Sequence, residues 1–451
     1  MNLQQEVFEA YRAHIEGHME ENRKGALAVK YNLDHSLLNW NGTVDKTVQI
    51  PKIFDEAAID RFKEIVKTAF EIFSKVIREY REHEDYRKLF PFSEDLEKLI
   101  LLPKQYESGL PIARFDIFYN EETGDFKFCE INTDGTAAMV RDLEMRRALI
   151  NNPAHQAVIR KYDLENFEHF DTWVKTFMEI YGTYPKKKDR PNVAIVDFME
   201  NATRGDFEEF ARRFQQAGID CEICDVRGLT YKDGALYSAA GNRVDAIYRR
   251  AVTADIMAHY DEVTDLLEAV RHDDVFIAGA FSTQVIHSKW LFYALHMERT
   301  KRILTDEERA FVEAHVPLTV GFAPAYISLE DVRNNKDRFM IKPADAYASK
   351  GIYAAGREHT QEEWDKLTAA LWDQGYICQE FCEQYLTDNI DFAWGDGKWH
   401  KYLNMPGLYA YNGKFSGFLM RMAQGDGIIV AHENERTAPV FMVKGAVKKV
   451  P

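Results

Sequence analysis

Residues 113–139 read ARFDIFYNEETGDFKFCEINTDGTAAM: a strand, a polar turn containing a glycine, a second strand, and a loop of small residues leading to a helix near Val140. Side chains alternate along a strand, so Arg114 and Asp116 share one face, as do Glu130 and Asn132. A five-residue loop over 121–125 sets Asp116 opposite Glu130 and Arg114 opposite Asn132. Four polar groups then crowd one patch, while Phe115, Ile117, Cys129 and Ile131 turn the other way into a core. Two carboxylates and an amide oxygen within reach of each other suit Mg²⁺, a hard cation that prefers oxygen ligands. The plainer alternative is an exposed polar face with a cross-strand Arg–Asp pair.

Working outward, Phe62, Ile65, Val66, Ala69, Phe70, Phe73, Val76 and Ile77 fall on one face between Asp55 and about Glu84, which predicts a core-packing helix. Downstream, a basic connector YPKKKDRPN (184–192) precedes the apolar run NVAIVDF (192–198), an amphipathic helix from Asp206 to Ala217, and a strand in GIDCEICDV (218–226). That is a β-α-β unit. A hairpin in GALYSAAGNRVDAIYRR (234–250) and a strand near Val275–Ala278 complete a small α/β domain ending near Ala280. A Rossmann oxidoreductase would need G-x-G-x-x-G after Phe198; the turn reads MENATRG, which lacks the phosphate cradle. The third region opens helix-rich over 285–335, then runs through RFMIKPA, GIYAAG, a helix at 360–374, GYICQEFCEQY and antiparallel strands from 390 to 443. The expected division is 1–185, 190–284 and 285–451.

Length and composition bound the function. A chain of 451 residues with 46% hydrophobic and 29% charged residues suits a globular protein of two or three domains. A net charge of −16 repels nucleic acid, so any phosphate site is local, gathered by a few lysines, an arginine or bound metal. The N-terminal stretch lacks the basic start and apolar run of a signal peptide, and no segment is long and apolar enough to span a bilayer. Five cysteines make no even disulfide framework, and the chain reads as cytoplasmic. Cys221 and Cys224 form an isolated C-x-x-C, read as buried strand residues without a metal.

Three further pieces carry chemistry. In RFMIKPADAYASKGIYAAG, Lys342 follows an apolar strand and Lys350-Gly351 follows a loop of small residues. There, backbone N–H groups approach a phosphate and two lysines supply point charges. The pattern strand–loop–strand lacks the helix of a P-loop. In GYICQEFCEQY, the segment from Gln379 through Glu380 to Glu383 offers backbone hydrogen bonds to an adenine edge, with Glu383 in reach of ribose hydroxyls. In GKFSGFLMRMAQGDGII, Arg421 precedes a Gly-rich loop, where a cationic fork bridges a phosphoryl group and a carboxylate. Each also has a structural reading: a solvated hairpin, an edge strand, a paired strand arginine.

Together these pieces resemble the ATP-grasp superfamily, and specifically the glutathionylspermidine synthase group with its circularly permuted relatives. RFDIFY and FCEINTDGTAAM resemble that group's Arg-x-Asp and Glu-x-Asn strands, IKPADAYASKGIYAAG its phosphate-binding lysine and loop, ICQEF its adenine-side strand, and STQVIHSKWLFYAL its helical lead into the nucleotide domain. The resemblance implies an α/β ATP-grasp fold in permuted strand order, because the Glu-x-Asn strand precedes the lysine strands, plus a small pre-ATP-grasp α/β domain. It further implies that Asp116, Glu130 and Asn132 hold Mg²⁺, that Lys342 and Lys350 hold the phosphates of ATP, and that Arg114 and Arg421 stabilise an acyl phosphate. The implied reaction joins a carboxylate to an amine, releasing ADP and phosphate. Phosphoryl transfer needs positioning and charge neutralisation more than acid–base groups, which fits the absence of a His or Cys nucleophile arrangement. The hairpin around Ala344–Gly351 is the expected cover over the intermediate. No segment resembles the amidase domain fused to some glutathionylspermidine synthases, and Asp134-Gly135-Thr136 departs from the group's loop. A catalytically inactive ATP-binding sensor or partner subunit is the alternative. Small-molecule substrates are the expected partners, with no nucleic acid and no membrane, and a homodimer is the default assembly.

Overall fold

A computed structural model describes residues 2–39, 42–200, 202–344, 354–425, 427–430 and 433–447. The helix expected from the apolar stripe spans Glu56–Glu82. The Asp55 side chain starts it by accepting the Ala58 N–H at 2.9 Å. It buries Phe62, Ile65, Val66, Ala69, Phe73, Val76 and Ile77, while Phe70 is half-buried at the border of the same core. Phe62 meets Phe418 edge-on at 5.1 Å, and Phe73 meets Phe115 in the same way at 5.5 Å. The helix thereby covers the back of the sheet whose other face carries the charged pattern.

That sheet is antiparallel. Along it lie Arg436–Ala438, Lys414–Gln424, Trp399–Tyr411, Ile112–Tyr119 and Phe126–Asn132, with Leu386–Ile390 also pairing to Trp399–Tyr411. The early hairpin is thus stitched to late strands: Asp116 lies opposite Gly407 and Arg114 opposite Tyr409, while Met405 lies opposite Arg421.

The β-α-β reading at 192–226 falls in a four-stranded parallel sheet ordered Phe276–Ala278, Ala246–Arg249, Val193–Asp197, Cys221–Asp225, with the helix Arg204–Gln216 packed on it. The hairpin expected over 234–250 is divided. Ala235–Tyr237 pairs with Arg243–Val244 in a small antiparallel sheet, whereas Ala246–Arg249, buried at every position, enters the parallel sheet. A run apolar on both faces belongs inside a parallel sheet. Cys224 is buried, Cys221 half-buried, and all five cysteines are free thiols.

A fourth sheet runs Thr319–Gly321, Tyr376–Glu380, Phe339–Pro343, Ala354–Ala355, all antiparallel. Its helix, Gln361–Leu371, opens with a capping box formed by Thr360 and Glu363 and buries Trp364 completely. It stops three residues short of the expected 374 because Trp372 is extended and Asp373 sits at φ 59°. In a fifth sheet, Val440–Ala446 lies between Lys52–Asp55, parallel to it, and Tyr162–Asn166, antiparallel. No helix among the described residues is long and apolar enough to cross a membrane.

Candidate functional site

The hairpin keeps the expected register at its charged end by an unexpected route. Arg114 faces Asn132 and Asp116 faces Glu130, but Ile117 faces Phe128, so a β-bulge falls at Cys129. The turn is one residue longer than expected. Asn120 opens it, its side-chain oxygen accepting the N–H groups of Glu122 at 2.9 Å and Thr123 at 3.2 Å, and Gly124 closes it at φ 77°. The bulge absorbs the extra residue. It also corrects the placement of Cys129, which lines a cavity instead of joining Phe115, Ile117 and Ile131 in the core.

Five side chains form the centre of that cavity's wall or lie just behind it. Asp116 is fully buried. Arg114 grips it with Nε to Oδ1 at 2.7 Å and Nη2 to Oδ2 at 3.1 Å. Asn132 Nδ2 donates to the same Oδ2 at 2.9 Å and to Glu130 Oε1 at 3.3 Å. Arg421, reaching from a strand 305 residues away, donates Nη2 to Asp116 Oδ2 and, at 3.2 Å, to Glu130 Oε1. Burial pushes the Asp116 carboxyl upward while Arg114 and Arg421 pull it back. The hydrogen bonds it accepts from Arg114, Asn132 and Arg421 all come from N–H donors, which favour the ionised form. Burial would raise Glu130 too, but the charges of Arg421, Lys289 and Arg114 hold it well below the usual carboxylate range. Two carboxylates and two guanidiniums thus neutralise one another out of water.

The loop that follows is fastened by the parallel-sheet unit. Asp206, fully buried on the helix Arg204–Gln216, accepts the N–H of Ala138 at 2.7 Å and of Val140 at 2.8 Å, and pairs with Arg250 Nη2 at 3.2 Å. It therefore caps the helix Met139–Ala148 from outside, where Ala138 at φ 79° supplies no side-chain cap. Asp134 meets Arg249 Nη2 at 2.7 Å and accepts the Thr253 N–H. The reward is at Ala137, whose carbonyl accepts Arg114 Nη1 at 3.1 Å and the Tyr409 hydroxyl at 2.8 Å.

The cavity measures about 1090 Å³, and Arg114, Glu130, Asn132, Lys342, Gln379 and Arg421 all line it. Lys342 is buried, and its Nζ donates to Gln379 Oε1 at 2.7 Å; Gln379 Nε2 in turn donates to Thr319 Oγ1 at 2.9 Å. The sequence predicts that Gln379 offers backbone hydrogen bonds to an adenine edge, with an edge strand as the structural alternative. Its strand is internal, paired with Thr319–Gly321 on one side and Phe339–Pro343 on the other, so its side chain is what reaches the site. Glu380 lines the cavity, although its N–H is spent on Leu318 at 2.8 Å. Glu383 is exposed and stands outside the cavity wall; the strand ends at Glu380, and Cys382 and Gln384 line the wall instead. Lys350 and Gly351, and with them most of the expected covering hairpin, lie outside the described residues.

Two residues escaped the sequence reading. Gly407 lies opposite Asp116, and a Cβ there would stand 2.3 Å from Asp116 Oδ1 and 2.8 Å from Arg114 Cδ. Its missing side chain makes room for the Arg–Asp pair; a glycine inside a strand was the available signal. Lys289, in the motif STQVIHSKWLFYAL, is buried to within a tenth of its surface, lines the cavity and acts electrostatically on Glu130.

Among the described residues no group of three or more His, Cys, Asp and Glu side chains is arranged around a metal position. Asp116 and Glu130 nevertheless offer hard oxygen donors that converge, and Arg421 Nη2 and Asn132 Nδ2 both sit between Asp116 Oδ2 and Glu130 Oε1. Positive hydrogens stand where a cation's charge would stand, and two carboxylates with an amide are donors of the kind Mg²⁺ takes.

No family model matches the chain, and no curated protein matches its sequence. Among solved structures, a glutathione synthetase-like effector from Globodera pallida, in its apo form, superposes with a TM-score of 0.61 over 93% of this chain and 96% of that one, at 12% identity. The two share a fold. It is a mixed α/β, ATP-grasp-like fold. A D-cycloserine synthetase aligns over 47% of this chain and 67% of its own at 18% identity, with a TM-score of 0.25, too low to bear on the architecture.

Proposed function

We propose that this protein is a Mg²⁺-dependent ligase that uses ATP to join a carboxylate to an amine through an acyl phosphate. The observation that carries the reading is the convergence on one cavity of Arg114, Glu130, Asn132, Arg421, Lys289 and Lys342, drawn from segments far apart in sequence. In this reading Asp116, Glu130 and Asn132 hold Mg²⁺, which when bound neutralises phosphate charge. Lys342, oriented by Gln379, and Lys289 bind the nucleotide phosphates, with Lys350 and Gly351 in the loop beyond. Glu380 and the segment to Glu383 belong to the nucleotide side. A carboxylate oxygen attacks the γ-phosphorus and ADP departs; an amine then attacks the acyl carbon, loses a proton, and phosphate departs. Arg114, fixed by Asp116 and Ala137, and Arg421 stabilise the negative charge of that sequence. The permuted strand order and a pre-ATP-grasp role for residues 190–284 belong to the same proposal.

The test is ADP release from ATP and Mg²⁺ in the presence of paired amino acids, short peptides and polyamines. Release should require both a carboxylate and an amine, and Arg421→Ala should leave ATP affinity nearly unchanged while the rate collapses. No release with any pair, together with ATP binding indifferent to Glu130→Ala, would sink the reading. A second reading, an ATP-binding protein without catalysis, draws on one observation: Arg421 already neutralises the carboxylates a metal would need.

A further inference from the structure

We propose that Arg421 is the resident cation of this centre, holding the place of the divalent ion between Asp116 and Glu130 until the ion enters with nucleotide and releases the guanidinium toward the cavity. This rests on the ligase reading only in taking the site to be one for a divalent ion.

Three observations carry it. A single nitrogen, Nη2 of Arg421, contacts Asp116 Oδ2 and Glu130 Oε1, and Asn132 Nδ2 touches the same two oxygens at 2.9 and 3.3 Å. Donors of positive charge are gathered on the pair of oxygens that a divalent ion would share. The two carboxylates are also already matched by the guanidiniums of Arg114 and Arg421, with the charge of Lys289 acting on Glu130 besides, in a centre where Asp116 is wholly enclosed. Adding two further positive charges to such a buried group with no anion to accompany them is unfavourable in a medium of low dielectric. The balance is restored if the ion arrives with the polyanionic nucleotide and Arg421 is released toward the cavity. Finally, Arg421 is not fully served where it sits. Its Nε is buried with no hydrogen-bond partner among the described residues, and its remaining contact there is a 4.0 Å approach to the Met405 sulfur. A guanidinium with an idle buried donor gives up its seat more readily than Arg114, whose Nε, Nη1 and Nη2 are all engaged.

The two arginines are thereby distinguished. Arg114 is fixed to Asp116 and to the Ala137 carbonyl and stays; Arg421 shuttles. The consequence is counter-intuitive, since removing a side chain that serves the reaction should improve metal binding.

The experiment uses Mn²⁺ as the probe, titrated into full-length protein and followed by the electron paramagnetic resonance of the free ion, with and without a non-hydrolysable ATP analogue. Without nucleotide, Arg421→Met should bind Mn²⁺ at least ten-fold more tightly than the native protein. With the analogue the native protein should tighten and the gap should narrow. Arg421→Met binding Mn²⁺ no more tightly than native protein, while native protein with analogue does bind it, would overturn the exchange and leave the ligase reading standing. No Mn²⁺ binding by either protein, even with analogue, would overturn both. If Arg421→Met is unfolded without metal, Mn²⁺-dependent refolding supports the proposal. If Mn²⁺ does not rescue it, Arg421→Gln decides: tighter binding than native supports the exchange and equal or weaker binding overturns it.

Discussion

Replacing Asp206 by alanine should unsettle the centre from outside it. The carboxylate is fully buried and accepts from Ala138 N at 2.7 Å, Val140 N at 2.8 Å and Arg250 Nη2 at 3.2 Å. Alanine strands two backbone N–H groups in the interior, at about 1–3 kcal/mol each. It also leaves Arg250 without its partner, and breaking a buried pair from one side typically costs about 3–5 kcal/mol. These penalties overlap because the loop and the arginine relax together, and Arg250 keeps the Thr203 hydroxyl at 3.2 Å. The expected loss is therefore about 4–6 kcal/mol, a large part of a typical folding free energy of about 5–15 kcal/mol. Asp206→Asn, which keeps one acceptor oxygen, should lose about half as much. Urea unfolding followed by tryptophan fluorescence measures both. Because Ala137 in the same loop accepts Arg114 Nη1, the alanine variant should also bind an ATP analogue with Mg²⁺ more weakly. An unfolding loss below about 1 kcal/mol at unchanged m-value would refute the idea that this carboxylate fastens the loop.

Burial raises the pKa of Asp197 to about 6, against opposition from Arg250 and the Phe198 N–H. A carboxyl raised on folding favours the folded state when protonated, so its contribution is present below the unfolded value near 3.8 and lost as pH rises through about 6. Asp197→Asn should accordingly stabilise by about 2–3 kcal/mol at pH 8, a gain that fades toward pH 4 in urea midpoints measured at both ends; equal shifts at both pH values would refute the assignment. Gly135 sits at φ 61°, and a Cβ there would lie 2.7 Å from both the Arg250 carbonyl oxygen and Val252 Cγ1. Gly135→Ala should cost about 2–4 kcal/mol in thermal or urea unfolding, since a carbonyl cannot step aside as a side-chain tip can. Lys342→Met should lower affinity for an ATP analogue at least ten-fold by calorimetry, with Gln379→Leu giving a smaller loss because Gln379 acts through Lys342.

What the sequence revealed about this protein follows the range of the interactions concerned. The long helix was legible because its apolar residues recur at helical spacing, and the sharing of faces by Arg114 with Asp116 and by Glu130 with Asn132 followed from strand alternation alone. Their cross-strand register came out as expected, although the turn was longer, because the bulge at Cys129 compensated for it; a bulge leaves little mark in residue type. Gly407 carried only the general signal of a glycine inside a strand. Its role exists only opposite Asp116, a pairing made between strands far apart in sequence. The same holds for Asp206, which reads as one more acidic residue on an amphipathic helix until the loop it caps is brought to it. Glu383 lies beyond the strand that ends at Glu380, so strand alternation says nothing of where its side chain points.

The strand Val440–Ala446, held between Lys52–Asp55 and Tyr162–Asn166, sets a timetable for the newly made chain. Lys52 finds its strand partner only at Val440, so that sheet stays open at both flanks through most of translation. Arg421 likewise reaches Asp116 across 305 residues. Closing such long loops is slow, and until it happens the early strands present unpaired edges. The buried charges of the centre would meanwhile remain in water, which spares the growing chain the burden of hiding Asp116 before its arginine from the far end has been synthesised.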